Sequence, residues 1–217
     1  NGLVMTNLRN YIKRRILFMN KTNKLTVPDL ISIGVFTALY FVLVTIATFA
    51  SVAIFPGFNN VVLPAFCALI SGCVYTLLVV KLQKFGGISV MGIVMGLFFM
   101  ISGHFIISFA ANIVMGIVAD CVAKVGKYKS KKWIILSYVL FSYGLFGPVI
   151  PMWFMKDAYV ANLVARGKDA VYIAELFANI NMVTFVLAVV ATLICALVGG
   201  WFGMKMIKKH FVKAGIV

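Results

Sequence analysis

The feature that most constrains this chain is a long stretch without any charged side chain. From Phe85 to Ala119, about 35 residues contain no Lys, Arg, Asp or Glu. A bilayer core roughly 30 Å thick requires about 20 helical residues, whereas about 35 residues in one helix would extend roughly 52 Å. The stretch is too long for one span, so we expect it to turn back on itself. Its most polar piece, Ser102 to His104, is the expected turn.

The composition supports a membrane setting. Hydrophobic residues make up 63% of the chain and charged residues only 12%, whereas a soluble domain is near half apolar and about a quarter charged. A net charge of +15 could indicate a nucleic-acid partner, which would require basic residues spread over a water-facing surface. Here the basic residues fall in clusters between apolar runs. The pattern predicts an all-α membrane protein and argues against nucleic acid.

Four other uncharged stretches are each long enough to cross a bilayer once. They are Leu30 to Ile54, Val61 to Val80, Trp133 to Met155 and Leu176 to Met204. With two crossings for the long stretch, the count is six transmembrane helices.

The orientation follows from the positions of the basic residues, because Lys and Arg accumulate in cytoplasmic loops. Four clusters hold 17 of the 20 basic residues: Arg9, Lys13, Arg14, Arg15, Lys21 and Lys24; Lys81 and Lys84; Lys124, Lys127, Lys129, Lys131 and Lys132; Lys205, Lys208, Lys209 and Lys213. The other three share one loop with three acidic residues. If all four clusters are cytoplasmic, both termini are cytoplasmic and the turn at His104 faces outward.

The domain organisation follows directly. Residues 1–24 form a basic cytoplasmic N-terminal segment, and residues 25–217 form the six-helix transmembrane domain. The chain begins without Met, and we expect part of the stretch before Met19 to be an extension upstream of the native start.

A histidine in an otherwise apolar hairpin needs a reason. Ser108 and Asn112 follow His104 at i+4 and i+8, so the three polar groups lie on one side of the same helix, and such groups normally turn toward the bundle interior. One interpretation is a solute pocket open to the outside. The other is that Ser108 bonds its own backbone, Asn112 links two helices and His104 sits in the interface.

Other candidate ligand-binding residues are predicted at the same outer level. They are Phe58 and Asn60 in the first outer loop, Trp153, Asp157 and Tyr159 at the end of the fifth span, and Asn179 at the start of the sixth. Small-molecule sites combine apolar walls with a few converging polar groups. For each aromatic residue taken singly, the interfacial aromatic belt is the better explanation.

No motif for catalysis or metal binding stands out. The chain has neither GxxxxGK[ST] nor HExxH, and its two histidines, His104 and His210, fall on opposite sides of the predicted membrane. The four cysteines lack CxxC spacing and are expected to be buried thiols. Asp120 precedes Lys124 by one helical turn, which predicts a local ion pair. We expect no catalytic residue, no metal and no cofactor.

Small residues recur at helical spacing in three places. Gly34 and Ala38 form a pair on the first helix, Gly92 and Gly96 form GxxxG on the third, and a third group lies near the end of the sixth: Ala196, Gly199, Gly200 and Gly203. Such spacing lets helix backbones approach closely. Internal packing explains most of these groups, and docking of another membrane subunit is the alternative.

Five pieces of the sequence together resemble a known family. They are KLTVPDLISIGVFTALYFVLV (24–44), SGHF (102–105), KYKSKKW (127–133), FGPVIPMWFMKDAY (146–159) and GGWFGMKMIKKHFVKAGIV (199–217). In order and spacing they resemble the Trep_Strep family of integral membrane proteins, which is counted among the substrate-binding S components of energy-coupling factor (ECF) transporters. The similarity runs from Lys24 to Val217.

The resemblance implies a multi-pass S component in a bacterial cytoplasmic membrane, embedded in lipid, that captures a vitamin or related micronutrient from outside. Its expected partners are a transmembrane T subunit and two cytoplasmic ATPases. In such proteins an AxxxA pattern on the first helix faces the T subunit, and here Gly34 and Ala38 occupy the matching positions. The rival interpretations are a stand-alone small-solute transporter or channel, and an intramembrane enzyme built on His104 and Asp157.

Overall fold

The computed structural model describes residues 24–207 and residue 209. Within that part of the chain the regular structure is entirely helical. The helices, in chain order, are α1 Val27–Ile54, α2 Asn59–Ile70, α3 Gly72–Leu82, α4 Gly87–Ile101, α5 Ile106–Val125, α6 Lys131–Ser142, α7 Pro151–Phe154, α8 Lys156–Ala165, α9 Ala170–Phe177 and α10 Met182–Met206, with a 3-10 helix at Tyr143–Phe146. The expected all-α class is confirmed.

The long uncharged stretch folds back as predicted. Helices α4 and α5 pack against each other and are joined by a turn at Ser102 and Gly103. Gly103 has φ +78°, a conformation that glycine adopts without steric cost. Close approach of the two helices also requires Gly92, because a Cβ there would lie 2.6 Å from the Asn112 carbonyl oxygen.

Two of the predicted spans are not continuous helices. Helices α2 and α3 meet at a bend of 43° around Ser71. The stretch from Trp133 to Met155 begins as α6, continues as the 3-10 helix, passes through a turn that contains Pro148 and ends in the short helix α7, which begins at Pro151. Proline lacks an amide hydrogen and interrupts helix hydrogen bonding. The helix therefore breaks before the end of the predicted span.

Three helices of the described residues are long and apolar enough to cross a membrane: α1, α5 and α10. The bent pair α2 and α3 would be a fourth crossing, and α4 is a shorter apolar helix of 15 residues. The chain is thus a multi-pass integral membrane protein. The full count of six spans and the cytoplasmic placement of the termini stay predictions.

The helices pack into one bundle with two distinct ends. Helix α1 contacts α2, α3 and α4; α5 contacts α4 and α6; and α10 contacts α2, α3 and α6. We call the end with residues 24–26, 83–86 and 126–130 the basic end, since the lysines of the four clusters that fall within the described residues lie there. The opposite end, with residues 55–58, 102–105 and 147–181, is the loop end.

A buried carboxylate fixes the start of α4. Asp120 is fully buried, and its Oδ2 accepts hydrogen bonds from the Gly86 amide (2.9 Å), the Ser89 amide (3.0 Å) and the Ser89 hydroxyl (2.9 Å). Tyr128 donates to Oδ1 at 2.9 Å. The predicted ion pair with Lys124 is wrong, because the carboxylate turns inward to the free amides at a helix start.

Candidate functional site

A cavity of about 240 Å³ opens between α1, α2, α4 and the segment that follows the 3-10 helix. We call it the His104 cavity. Its lining residues are Phe41, Val44, Thr45, Thr48, Leu63, Cys67, Phe98, Phe99, His104, Leu145 and Pro148. The lining runs from His104 and Pro148 at the loop end to Phe41 and Cys67 deeper along the helices.

His104 is the most polar group of this cavity. The turn positions it, because its amide donates to the Phe99 carbonyl at 3.0 Å. The imidazole is half-buried and lies edge-on to the Phe99 ring, with centroids 5.2 Å apart and planes at 72°. Its Nδ1 is buried and has no hydrogen-bond partner among the described residues. A buried polar atom left unpaired costs free energy.

The charge state of this imidazole follows from its surroundings. Burial, and then the nearby Arg166 charge, lower the pKa of His104 below its ordinary 6.5, and the Phe99 carbonyl offsets this only in part. The side chain is therefore neutral at pH 7. A neutral imidazole carries one donor nitrogen and one acceptor nitrogen, so it can pair with either kind of polar group on a ligand.

The rest of the cavity wall is uncharged. Phe41 and Phe98 lie with ring centroids 4.6 Å apart. The Thr45 and Thr48 hydroxyls donate to carbonyls one turn back on α1, at 2.9 and 2.8 Å, which leaves their oxygens free to accept. Aromatic walls with a few acceptors suit a small, uncharged and partly flat solute.

Asn112 occupies a different place from the one predicted. It is buried, and its Nδ2 donates to the Ser108 carbonyl at 2.8 Å and to the Gly144 carbonyl at 3.1 Å. Gly144 lies in the 3-10 helix, so the amide links α5 to that segment. Asn112 does not line the His104 cavity, and its geometry matches the alternative in which it joins two helices.

Asn60 lines a second cavity at the loop end, of about 230 Å³. The other lining residues are Val52, Gly57, Asn59, Tyr172, Glu175 and Leu176. Phe58 packs on an apolar cluster beneath this end, which includes Val61 and Phe146. Neither predicted residue contacts the His104 cavity.

Trp153 and Asn179 join segments of the loop end. The Trp153 indole donates to the Asn181 carbonyl at 3.0 Å. The Asn179 amide donates to the Gly57 carbonyl, also at 3.0 Å. The first bond connects α7 to the start of α10, and the second connects the segment between α9 and α10 to the loop after α1. Both side chains therefore hold segments of the loop end together.

Tyr159 and Asp157 lie on α8. The Tyr159 ring stacks on Phe105, next to His104 in sequence, with centroids 5.7 Å apart and planes at 8°. Burial raises the pKa of Tyr159 to about 12, so the phenol is neutral. Asp157 is exposed. The Phe105–Tyr159 contact therefore packs α8 against the turn at 102–105.

Eight residues were predicted for ligand binding. His104 lines the His104 cavity, and the other seven lie elsewhere. The aromatic wall and the two threonines were not predicted from the sequence. Thr45 and Thr48 were visible as polar residues three apart in an apolar helix, but phenylalanines in a membrane chain carry no distinguishing signal.

The three groups of small residues have different surroundings. A Cβ at Gly92 or Gly96 would strike the backbone of α5, and one at Gly199 would strike the backbone of α2. A Cβ at Gly34 would meet no atom within 4 Å, and both Gly34 and Ala38 are exposed. The pair on α1 is therefore the group that forms an outward surface.

The family model described as "Hypothetical bacterial integral membrane protein (Trep_Strep)" matches residues 27–213. No curated protein and no solved structure matches the chain significantly.

Proposed function

We propose that this chain, which belongs to the Trep_Strep family of bacterial integral membrane proteins, is the substrate-binding S component of an ECF-type importer. It captures a vitamin-like small solute at the outer face of the cytoplasmic membrane. The observation that carries the proposal is the His104 cavity, an uncharged pocket with one unpaired polar atom.

The access side follows from the charge distribution. The described lysines of the four clusters lie at the basic end. Because Lys and Arg prefer cytoplasmic loops, this end is expected on the inside of the membrane. The loop end then faces outward. Since the turn that carries His104 belongs to the loop end, a solute reaches the cavity from outside the cell.

Ligand binding completes the hydrogen bonding of the cavity. Nδ1 of His104 has no hydrogen-bond partner among the described residues, and Phe41, Phe98 and Phe99 supply apolar surface around it. A ligand group paired with this nitrogen recovers about 1 to 3 kcal/mol. The aromatic walls add affinity through the area that they remove from water.

Transport requires energy from partner subunits. The sequence contains no GxxxxGK[ST] motif, so ATP hydrolysis belongs to two cytoplasmic ATPases that act through a T subunit. Gly34 and Ala38 supply the docking surface for the T subunit, because they face outward and allow close approach of a second helix.

We propose no catalytic role for the chain. Around His104 the cavity side chains are apolar apart from Thr45, Thr48 and Cys67, and both threonine hydroxyls donate to their own helix. A reaction centre would require a nucleophile and a base held together, and Asp157 points to solvent at another position.

The test begins with the chain purified alone. Mass spectrometry of extracted material should identify a small solute that is present with the parent protein and with S102A, and depleted with H104A. Ser102 belongs to the same turn but bonds the Phe98 carbonyl, so it is the matched control.

Reconstitution separates the proposal from its rivals. In liposomes, the identified solute should bind without being accumulated or altered until the T subunit and ATPases are added. Accumulation by the chain alone would establish a stand-alone transporter, and chemical turnover of the solute would establish an enzyme.

A further inference from the structure

A second surface feature lies at the other end of the bundle. A groove of about 350 Å³ runs between α6 and α10 and is lined by Ile135, Leu197, Val198 and Trp201. All four side chains are apolar, and Leu197, Val198 and Trp201 are exposed by 45 to 48%. Helix α10 is long and apolar enough to cross a membrane, so the groove faces the hydrocarbon region.

Two lysines flank the groove where it meets the basic end. The Lys131 Nζ lies 5.9 Å from the centre of the Trp201 ring, and the Lys205 Nζ lies 5.0 Å from it. Each lysine is one helical turn beyond a groove residue, Lys131 from Ile135 and Lys205 from Trp201. The two ammonium groups come from different helices and share one aromatic ring.

None of the Asp or Glu side chains, all of which lie within residues 24–207, is placed to neutralise these lysines. The chain has five acidic residues. Asp29 pairs with Lys84 at 2.6 Å, and Asp120 is fully buried in its hydrogen bonds. The remaining three lie at the loop end: Asp157, Asp169 and Glu175. The positive charge beside Trp201 is therefore available to an outside anion.

We propose that this groove binds an anionic phospholipid. One acyl chain lies along Ile135, Leu197 and Val198, and the phosphate sits between Lys131 and Lys205 above the Trp201 ring. Basic pockets between membrane helices on the cytoplasmic side recognise such headgroups, and tryptophan favours the level where headgroup and hydrocarbon meet. A soluble anion would contact only the two lysines. An anionic phospholipid contacts both the lysines and the apolar groove, so we expect the site to prefer it.

Native mass spectrometry can test this with phosphatidylglycerol and phosphatidylcholine added to the purified chain. The parent should retain phosphatidylglycerol selectively. K131Q/K205Q should bind it about 30-fold more weakly, since each lysine near the headgroup contributes about a factor of five. K127Q/K129Q is the matched control, because it removes the same charge from exposed positions of the same end and should retain the lipid.

A third variant tests the acyl-chain site. L197W fills the groove without changing the charge and should also reduce retention of phosphatidylglycerol. All variants alter exposed side chains, and an unchanged unfolding temperature in detergent confirms their fold. Equal retention of both lipids by the parent, or equal loss from K131Q/K205Q and K127Q/K129Q, would overturn the proposal.

Discussion

The His104 imidazole lies edge-on against the Phe99 ring at 5.2 Å, and its buried Nδ1 has no hydrogen-bond partner among the described residues. The same turn holds both side chains, because the His104 amide donates to the Phe99 carbonyl. The protein thus maintains an unpaired polar atom beside an aromatic wall. An unpaired buried nitrogen lowers the stability of the fold, and a ligand that forms a hydrogen bond with it removes that cost.

The first prediction concerns stability against pH. Because the pKa of folded His104 is below its ordinary 6.5, its neutral form favours the folded state, and this contribution is lost as pH falls from about 6.5 through the folded pKa. The unfolding temperature of the ligand-free parent should therefore decline more steeply between pH 7.5 and 5 than that of H104A. Both proteins retain His210, so the difference isolates His104. Parallel curves would contradict the burial argument.

Asn112 should be a stability residue. N112A removes the hydrogen bond that links α5 to the Gly144 carbonyl, and that carbonyl keeps only its bond from the Gly147 amide. We therefore expect a loss of about 0.5 to 1.5 kcal/mol in the free energy of unfolding. The ligand dissociation constant of the folded fraction should stay unchanged. Thermal unfolding and titration of the same sample measure both quantities. If N112A lost much of its ligand affinity but kept the stability of the parent, Asn112 would be a ligand-binding residue and this prediction would be wrong.

The outward pair on α1 should control assembly. G34L/A38L adds bulk where no described residue outside the surrounding turns of α1 lies within 4 Å of a Gly34 Cβ. The fold should therefore persist while association with the T subunit weakens by roughly tenfold or more, about 1.4 kcal/mol. A110L/C121L places similar bulk on the exposed face of α5 and serves as the control. Complex recovered at the parental yield from G34L/A38L would exclude this interface.

The orientation can be tested by labelling with an impermeant thiol reagent. In a chain whose native cysteines are replaced by serine, K127C at the basic end should be protected in intact cells and K168C at the loop end should react. Both positions are exposed, so accessibility within the bundle does not limit the reaction. Labelling of both from the same side would refute the proposed topology.

The sequence was informative where charge and steric exclusion decide the structure. The hairpin at His104 follows from an uncharged stretch that is too long for one helix. The packing of Gly92 against α5 follows from the small-residue pattern, because only glycine permits that approach. Gly34 carries the same pattern but faces outward, and this difference depends on which neighbour is present, which the sequence does not specify.

The cavity wall was harder to foresee, because its selectivity depends on shape. Phe41 and Phe98 look like any lipid-facing phenylalanine until α1 and α4 are brought together. Asn60 and Asn179 were predicted to bind a ligand because they are polar. In the structure, Asn60 lines a different cavity and Asn179 donates to the Gly57 carbonyl. At a helix end, a polar side chain serves backbone groups as readily as a ligand.

The most direct test of the account is isothermal titration of the co-purified solute into the chain alone, without T subunit or ATPases, using the parent, H104A and S102A. The account predicts binding by the parent and by S102A, with affinity reduced about tenfold to a hundredfold in H104A, since about 1 to 3 kcal/mol is lost with the hydrogen bond. Equal affinities in all three folded proteins, or no binding by the isolated parent, would contradict a substrate-binding subunit centred on His104.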